Sequence, residues 1–196
     1  LYSSALAISY THAFNIGLGL LIPHLLTLSS SFLEGAKLRV FTVAASHSQL
    51  QKEQRSMAAL LSRFRIDYSN VYVIPDLAKR PNKTTVDAFK EFIVPFLKDI
   101  DEKEEILDEI YASHLYISDA EFIAMKGKTY RELRIRELLH QHSQDATLIV
   151  LTLPIPRKGV LSAGLYLGWL DFVTKDMNCP VLYLRGNQQS VLTFYS

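Results

Sequence analysis

The chain carries a single cysteine, Cys179, among 196 residues. No internal disulfide can staple it, which fits a reducing compartment. Charge bias is also missing: 21 lysines and arginines face 20 aspartates and glutamates. That balance gives no electrostatic case for nucleic acid as a partner. Long apolar runs are scarce. Ile16–Leu33 holds 18 residues without formal charge, the lower limit for a membrane-crossing helix. Pro23 and His24 interrupt it, Ser29-Ser30-Ser31 follow, and no basic cluster flanks it, so a buried core helix is the better reading. No charged region precedes Leu1–Ile8, which leaves that stretch without the form of a signal peptide. The chain opens on Leu1 rather than methionine and is expected to be part of a longer one.

What is present is apolar and periodic. Apolar residues make up 48% of the chain, enough for a full core. Lys37–Val43 (KLRVFTV) reads as a strand buried on both faces, and Val71–Ile74, Thr147–Leu153 (TLIVLTL) and Val181–Leu184 read as further strands. Gln49 to Phe64 reads as a helix, because Met57, Leu60, Leu61 and Phe64 form one stripe. Ser162 caps a second helix to about Asp176, striped by Leu165, Trp169, Phe172 and Val173. Strand, helix, strand, repeated, predicts an α/β fold: an open, mostly parallel sheet with helices on both faces. Between the repeats, a helical insertion is expected at about 81–128. Thr84 and Asp87, Ser118 and Glu121, and Thr129 and Glu132 all have capping-box spacing. These predict helices over Thr84–Leu97, from Ser118, and over Thr129 to about Ser143. Asp99–Glu109 is dominated by acids and reads as a solvated face or loop. Glu132 and Arg136 are an expected i,i+4 pair.

Chemistry is hard to find. His140 and His142 point to different helix faces, and His12, His24, His47 and His114 lack ligand spacing, so no metal is expected. There is no G-x-S-x-G elbow, and Ser162 reads as a cap rather than a nucleophile. Gly17-Leu18-Gly19 lacks the third glycine of a dinucleotide fingerprint. In an open parallel sheet, ligands bind outside the carboxyl ends of the strands where strand order reverses. Here that edge would carry Ala45-Ser46-His47, Pro75-Asp76, Pro154–Gly159 and Arg185-Gly186-Asn187. Arg157, Lys158 and Gly159 are the candidates for meeting a nucleotide phosphate. No glycine-rich cradle supports them, so a solvated basic loop is the favoured reading. No catalytic residue and no cofactor are assigned. The apolar ending draws the eye last: Val191, Leu192, Phe194 and Tyr195 would each gain roughly 1.5–3 kcal/mol from burial. They are the anchor or interface candidates, and Gly186-Asn187 before them is a turn signal.

Several blocks resemble one family. GLLIPHLL at Gly19–Leu26, KLRVF at Lys37–Phe41, MAALLSRFRID at Met57–Asp67, TYRELRIRELL at Thr129–Leu139, LPIPRKG at Leu153–Gly159, LYLGWL at Leu165–Leu170 and the RGN…VLTFYS ending are similar to the cytosolic carboxy-terminal domain of the cation–chloride cotransporters. The VLTFYS ending favours the sodium–potassium–chloride branch over the potassium–chloride branch. Thr11–Gly17 (THAFNIG) resembles an earlier family segment that is normally followed by a strand and a variable linker. Residues 1–18 are therefore expected to be a fragment of a preceding subdomain, with a chain gap near 16–19. Residues 19–196 are expected to be the carboxy-terminal α/β regulatory domain.

The resemblance implies a universal-stress-like fold and no enzyme. It implies a regulatory, homodimerising module on the cytoplasmic face of the cell membrane. The module would belong to a multi-pass electroneutral symporter whose own transmembrane domain binds sodium, potassium and chloride. It implies no nucleic acid and no small-molecule substrate in this domain. A soluble nucleotide-binding α/β protein is the competing reading from fold alone.

Overall fold

The computed structural model describes residues 4–8, 16–31, 33–44, 47–75, 77, 79–97, 115–156 and 160–186. Five parallel strands form one sheet: β1 (Ser4–Ile8), β2 (Lys37–Ala44), β3 (Asn70–Pro75), β4 (Leu148–Thr152) and β5 (Val181–Leu184). Their order is β3-β2-β1-β4-β5. Four of them match the expected strands to within about a residue. The fifth, β1, has no counterpart in the sequence reading, yet it lies at the centre and pairs with both β2 and β4. Ser4–Ile8 is thus part of the same sheet as the rest of the chain. The expected boundary at 18/19 falls inside α1 (Ile16–Thr27), an uninterrupted helix.

The chain divides into two compact units. The first comprises Leu1–Leu77, His142–Leu153 and Met177–Ser196. In it, α1 and α2 (Leu50–Arg63) cover one sheet face. Val40 and Val71 are register partners, so both point to that face. With Leu38 they pack on Leu20, Met57, Leu61 and Ile66. Farther along the same face, Leu148 and Val150 pack with Leu33 and Ala36. Phe41, Ile149 and Leu151 point the other way and are buried too, which is why these strands are apolar at successive positions. Helix α1 is only 12 residues long, roughly 18 Å. Among the described residues no helix is long and apolar enough to cross a membrane.

The second unit comprises Ala78–Gln141 and Pro154–Asp176, more than the expected insertion. It contains α3 (Lys83–Ile93), α4 (Asp119–Ala124) and α6 (Ala163–Thr174), with nearly all of α5 (Lys126–His142). Val86, Phe89 and Ile93 recur at helical spacing on α3 and meet Leu133, Leu165, Trp169 and Phe172 in one core. The Phe89 and Phe172 rings meet edge to face at 5.1 Å, a favourable quadrupole arrangement. Helix α3 stops short of the expected Leu97. Pro95 turns Val94–Phe96 into a single 3₁₀ turn, since proline removes a helical donor.

The expected capping boxes fare unevenly. Ser118 does accept from the Glu121 N–H at 3.2 Å. Thr129 does not cap, because α5 starts three residues earlier at Lys126; its buried hydroxyl instead accepts from Trp169 Nε1 at 3.1 Å. The N-cap of α3 is Asn82, without a side-chain cap.

Candidate functional site

Strand order reverses between β1 and β4, so the crevice that open α/β sheets use for ligands opens beyond Ile8 and Thr152. On this edge the Leu153 N–H donates to Leu184 O at 2.8 Å, closing the β4–β5 side. Arg157, Lys158 and Gly159 lie outside the described residues, as do Ala45, Ser46, Asp76 and Asn187. Val191, Leu192, Phe194 and Tyr195 lie outside them as well.

Within the second unit, three helix ends show how charge is used. The amino end of α6 is capped by Ser162, whose Oγ accepts from the Leu165 N–H at 3.2 Å. The Ser162 N–H donates to Glu121 Oε1. A carboxylate therefore already sits at the positive end of this helix, where an incoming anion would otherwise be favoured. The same place is sterically tight: a Cβ at Gly164 would lie 2.7 Å from Leu115 O, so only glycine fits.

The carboxy end of α6 is held by Arg136. Its guanidinium donates to Phe172 O, Lys175 O and Asp176 Oδ2 and lies 4.5 Å from the Phe172 ring centroid. Asp176 has φ +62°, the left-handed turn that follows a helix end. The expected Glu132–Arg136 pair is replaced by this one, because the fork of Arg136 meets two unsatisfied carbonyls and a carboxylate at once.

The amino end of α3 is served by Glu137 of α5. Its Oε1 accepts from the Asn82 N–H at 2.7 Å and from Thr85 Oγ1 at 2.9 Å, and Arg134 Nη1 donates to Oε2 at 2.7 Å. Burial alone would raise the Glu137 pKa, but these donors outweigh it and hold the carboxyl below its ordinary range. Thr85 and Glu137 thus form a hydroxyl–carboxylate contact without a useful base. Beside it lies an open recess of about 460 Å³, lined by Thr84, Thr85, Phe92, Arg136, Lys175 and Asp176. Its cations are engaged: Arg136 as described, and Lys175 Nζ 5.3 Å from the Phe92 ring centroid.

In the first unit, Arg39 and Asp145 form a two-point ion pair at 2.8 and 3.2 Å, and the Arg39 hydrogen bond lowers the Asp145 pKa. Burial, then the nearby Asp145 charge, pushes the Cys179 thiol up, away from thiolate reactivity. Phe41 stacks on Tyr72 at 4.7 Å and lies 5.8 Å from the His142 ring. Among the described residues, no three of His, Cys, Asp and Glu come together as a cation site would require.

Glu121, Arg136 and Glu137 carry most of this electrostatic structure. The sequence reading did not assign these roles, since each links residues about 40 to 55 positions apart, beyond local pattern rules.

Comparison with known proteins gives a consistent result. The family described as "SLC12: Solute carrier family 12" matches residues 15–196. The chain is 43% identical over 182 residues to "Solute carrier family 12 member 2" of Homo sapiens, covering 92% of this chain and 15% of that protein. It is 44% identical over 185 residues to "Solute carrier family 12 member 1" of Mus musculus, covering 92% and 16%. The chain therefore spans about one sixth of the length of these relatives. With the family match across nearly its whole length, this chain belongs to solute carrier family 12, the family of the cation–chloride cotransporters that its sequence blocks resemble.

Proposed function

We propose that this chain is the cytosolic regulatory and dimerising module of a sodium–potassium–chloride symporter. It works on the cytoplasmic face of the membrane, as part of a longer multi-pass protein. The observations that carry this reading are the family match over residues 15–196 and the 43–44% identity to members 1 and 2, of which the chain spans only a sixth. The α/β architecture supports it: a parallel sheet, with no described helix long and apolar enough to span a bilayer. Ion movement then belongs to the remainder of the longer chain, and this module acts by contact rather than by chemistry. The interface candidates are Val191, Leu192, Phe194 and Tyr195.

Light scattering on the 196-residue chain, with and without Val191–Ser196, tests the assembly. A dimer that becomes a monomer on truncation supports the anchor role; an unchanged dimer removes it. Rubidium uptake by the longer protein, measured with and without this module, tests control of transport. Uptake indifferent to the module overturns the regulatory reading. The separation of residues 1–18 from 19–196 by a linker is likewise proposed. Sequencing the transcript across residues 16–19 tests it, and a continuous coding sequence in every transcript would refute it.

The competing nucleotide reading has a specific obstacle. Glu121 already occupies the amino end of α6, and its charge opposes a phosphate there.

A further inference from the structure

Six exposed cations come from two short acid-free segments. Lys79, Arg80 and Lys83 precede and open α3; Lys126, Lys128 and Arg131 open α5. The segments meet at Tyr130. The Arg80 guanidinium and the Lys126 ammonium each lie 5.7 Å from its ring centroid. None of the six takes part in an ion pair among the described residues, whose three pairs use Arg39, Arg134 and Arg136 instead. Among the described residues, three acids border these segments. Glu137 is occupied by Asn82, Thr85 and Arg134; Glu132 adjoins Arg131, and Asp87 follows one turn into α3. The chain as a whole has a formal net charge of only +1, so this is a local concentration of one sign.

Bringing like charges to one aromatic ring costs repulsion, which an anion on the patch would relieve. We propose that the Tyr130 patch docks the anionic headgroups of a lipid bilayer, with Arg80 and Lys126 on phosphate oxygens and the flanking Lys79 and Lys83 on neighbouring headgroups. The proposal rests on the cytoplasmic placement argued above. Charge complementarity selects the occupant: exposed cations suit an anionic surface. Membership of a membrane-transporter family keeps such a surface at high effective concentration. Lysine and arginine also match phosphate in different ways, one as a point charge and one as a fork.

The test is cosedimentation of the 196-residue chain with phosphatidylcholine vesicles, alone, with about 20% phosphatidylserine, or with about 5% phosphatidylinositol bisphosphate, at roughly 0.1 and 0.5 M salt. Binding to the anionic vesicles, lost at the higher salt, is expected. The Arg80→Gln/Lys126→Gln double variant should weaken it by roughly 20- to 30-fold, about fivefold per cation. Lys79→Gln/Lys83→Gln, away from the Tyr130 contacts, should weaken it similarly and serves if the first variant misfolds by circular dichroism. Lys52→Gln/Arg55→Gln, exposed on α2 in the other unit, should leave binding unchanged. Equal binding to neutral vesicles, no binding to any, or an equal loss in the α2 variant overturns the proposal. So does tighter binding of soluble inositol phosphate or of an acidic phosphopeptide than of the vesicles. None of these outcomes bears on the transporter reading, which the uptake assay decides separately.

Discussion

Glu132 and Glu137 share one helix and titrate in opposite directions. Burial pushes Glu132 up from 4.5 to about 7, with Arg131 only partly offsetting it. Its folded form therefore favours the proton. The stability it contributes is complete below about pH 4.5 and is lost as pH rises through about 7. Replacing it by glutamine should raise stability at pH 8 by about 1–3 kcal/mol and change little at pH 4. Glu137 is the reverse case. Its lowered pKa gives stability that is present above its ordinary value of 4.5 and lost as pH falls through the lowered one. Glu137→Gln should cost about 1–3 kcal/mol at pH 7, because charge-assisted bonds to Arg134 and the Asn82 N–H are lost. Urea titrations of both variants from pH 4 to 8 separate the two signs. Thr129→Val should cost about 1–3 kcal/mol as well, since it strands the buried indole N–H of Trp169; a value near zero would mean that the indole has another acceptor.

At the scale of the element, two glycines on α6 make a controlled pair. Gly164→Ala drives a Cβ to 2.7 Å from the backbone oxygen of Leu115, and the helix must shift. A loss of about 1–3 kcal/mol is expected, as for overpacking. At Gly168 the new Cβ would stand 3.4 Å from Ile93 Cγ2, an ordinary contact. Helix propensity then favours alanine by up to about 1 kcal/mol. Thermal melts of the two variants should move in opposite directions; the same sign for both would mean that packing does not distinguish these sites. The regular elements were largely legible because apolar stripes mark them: α2 by Met57 and Leu61, β4 by its continuous run. Element starts were less so. T-x-x-E at Thr129 imitates a cap, yet Lys126 and Gly127 are already helical. Strand β1 escaped because SALAI is short and small-residued, with Ile8 its one β-branched residue, whereas β2 has three. Only its neighbours on both sides make it a strand. As for the site, the basic LPIPRKG loop was visible in the sequence, whereas the Glu121 carboxylate at the helix it precedes was not, because that contact joins residues 41 apart.

For the whole molecule, the strand order sets what can be removed. β1 joins β2-β3 to β4-β5. A chain beginning at residue 19 loses that join and leaves two separate two-stranded ribbons, each marginal on its own. It should show no cooperative unfolding transition by near-ultraviolet circular dichroism, whereas the 196-residue chain should. A cooperative transition in the shortened chain would mean that the sheet closes without Ser4–Ile8. The same experiment weighs the expected division of the chain at 18/19. Residues drawn from the two sides of that boundary pair in register along both edges of β1.

The central position of β1 also fixes the timing of folding during synthesis. Ala5 leaves the ribosome roughly 140 residues ahead of its partner Leu148, a contact of very high sequence separation. Until then β1 can complete only its β2 side, and its other edge stays open while the residues between β2 and β4 are made. Such an edge is a template for wrong pairing and a target for chaperones. A premature stop between β2 and β4 therefore leaves a strand with an unsatisfied edge, giving quality control a physical signal to distinguish such truncated chains from finished ones.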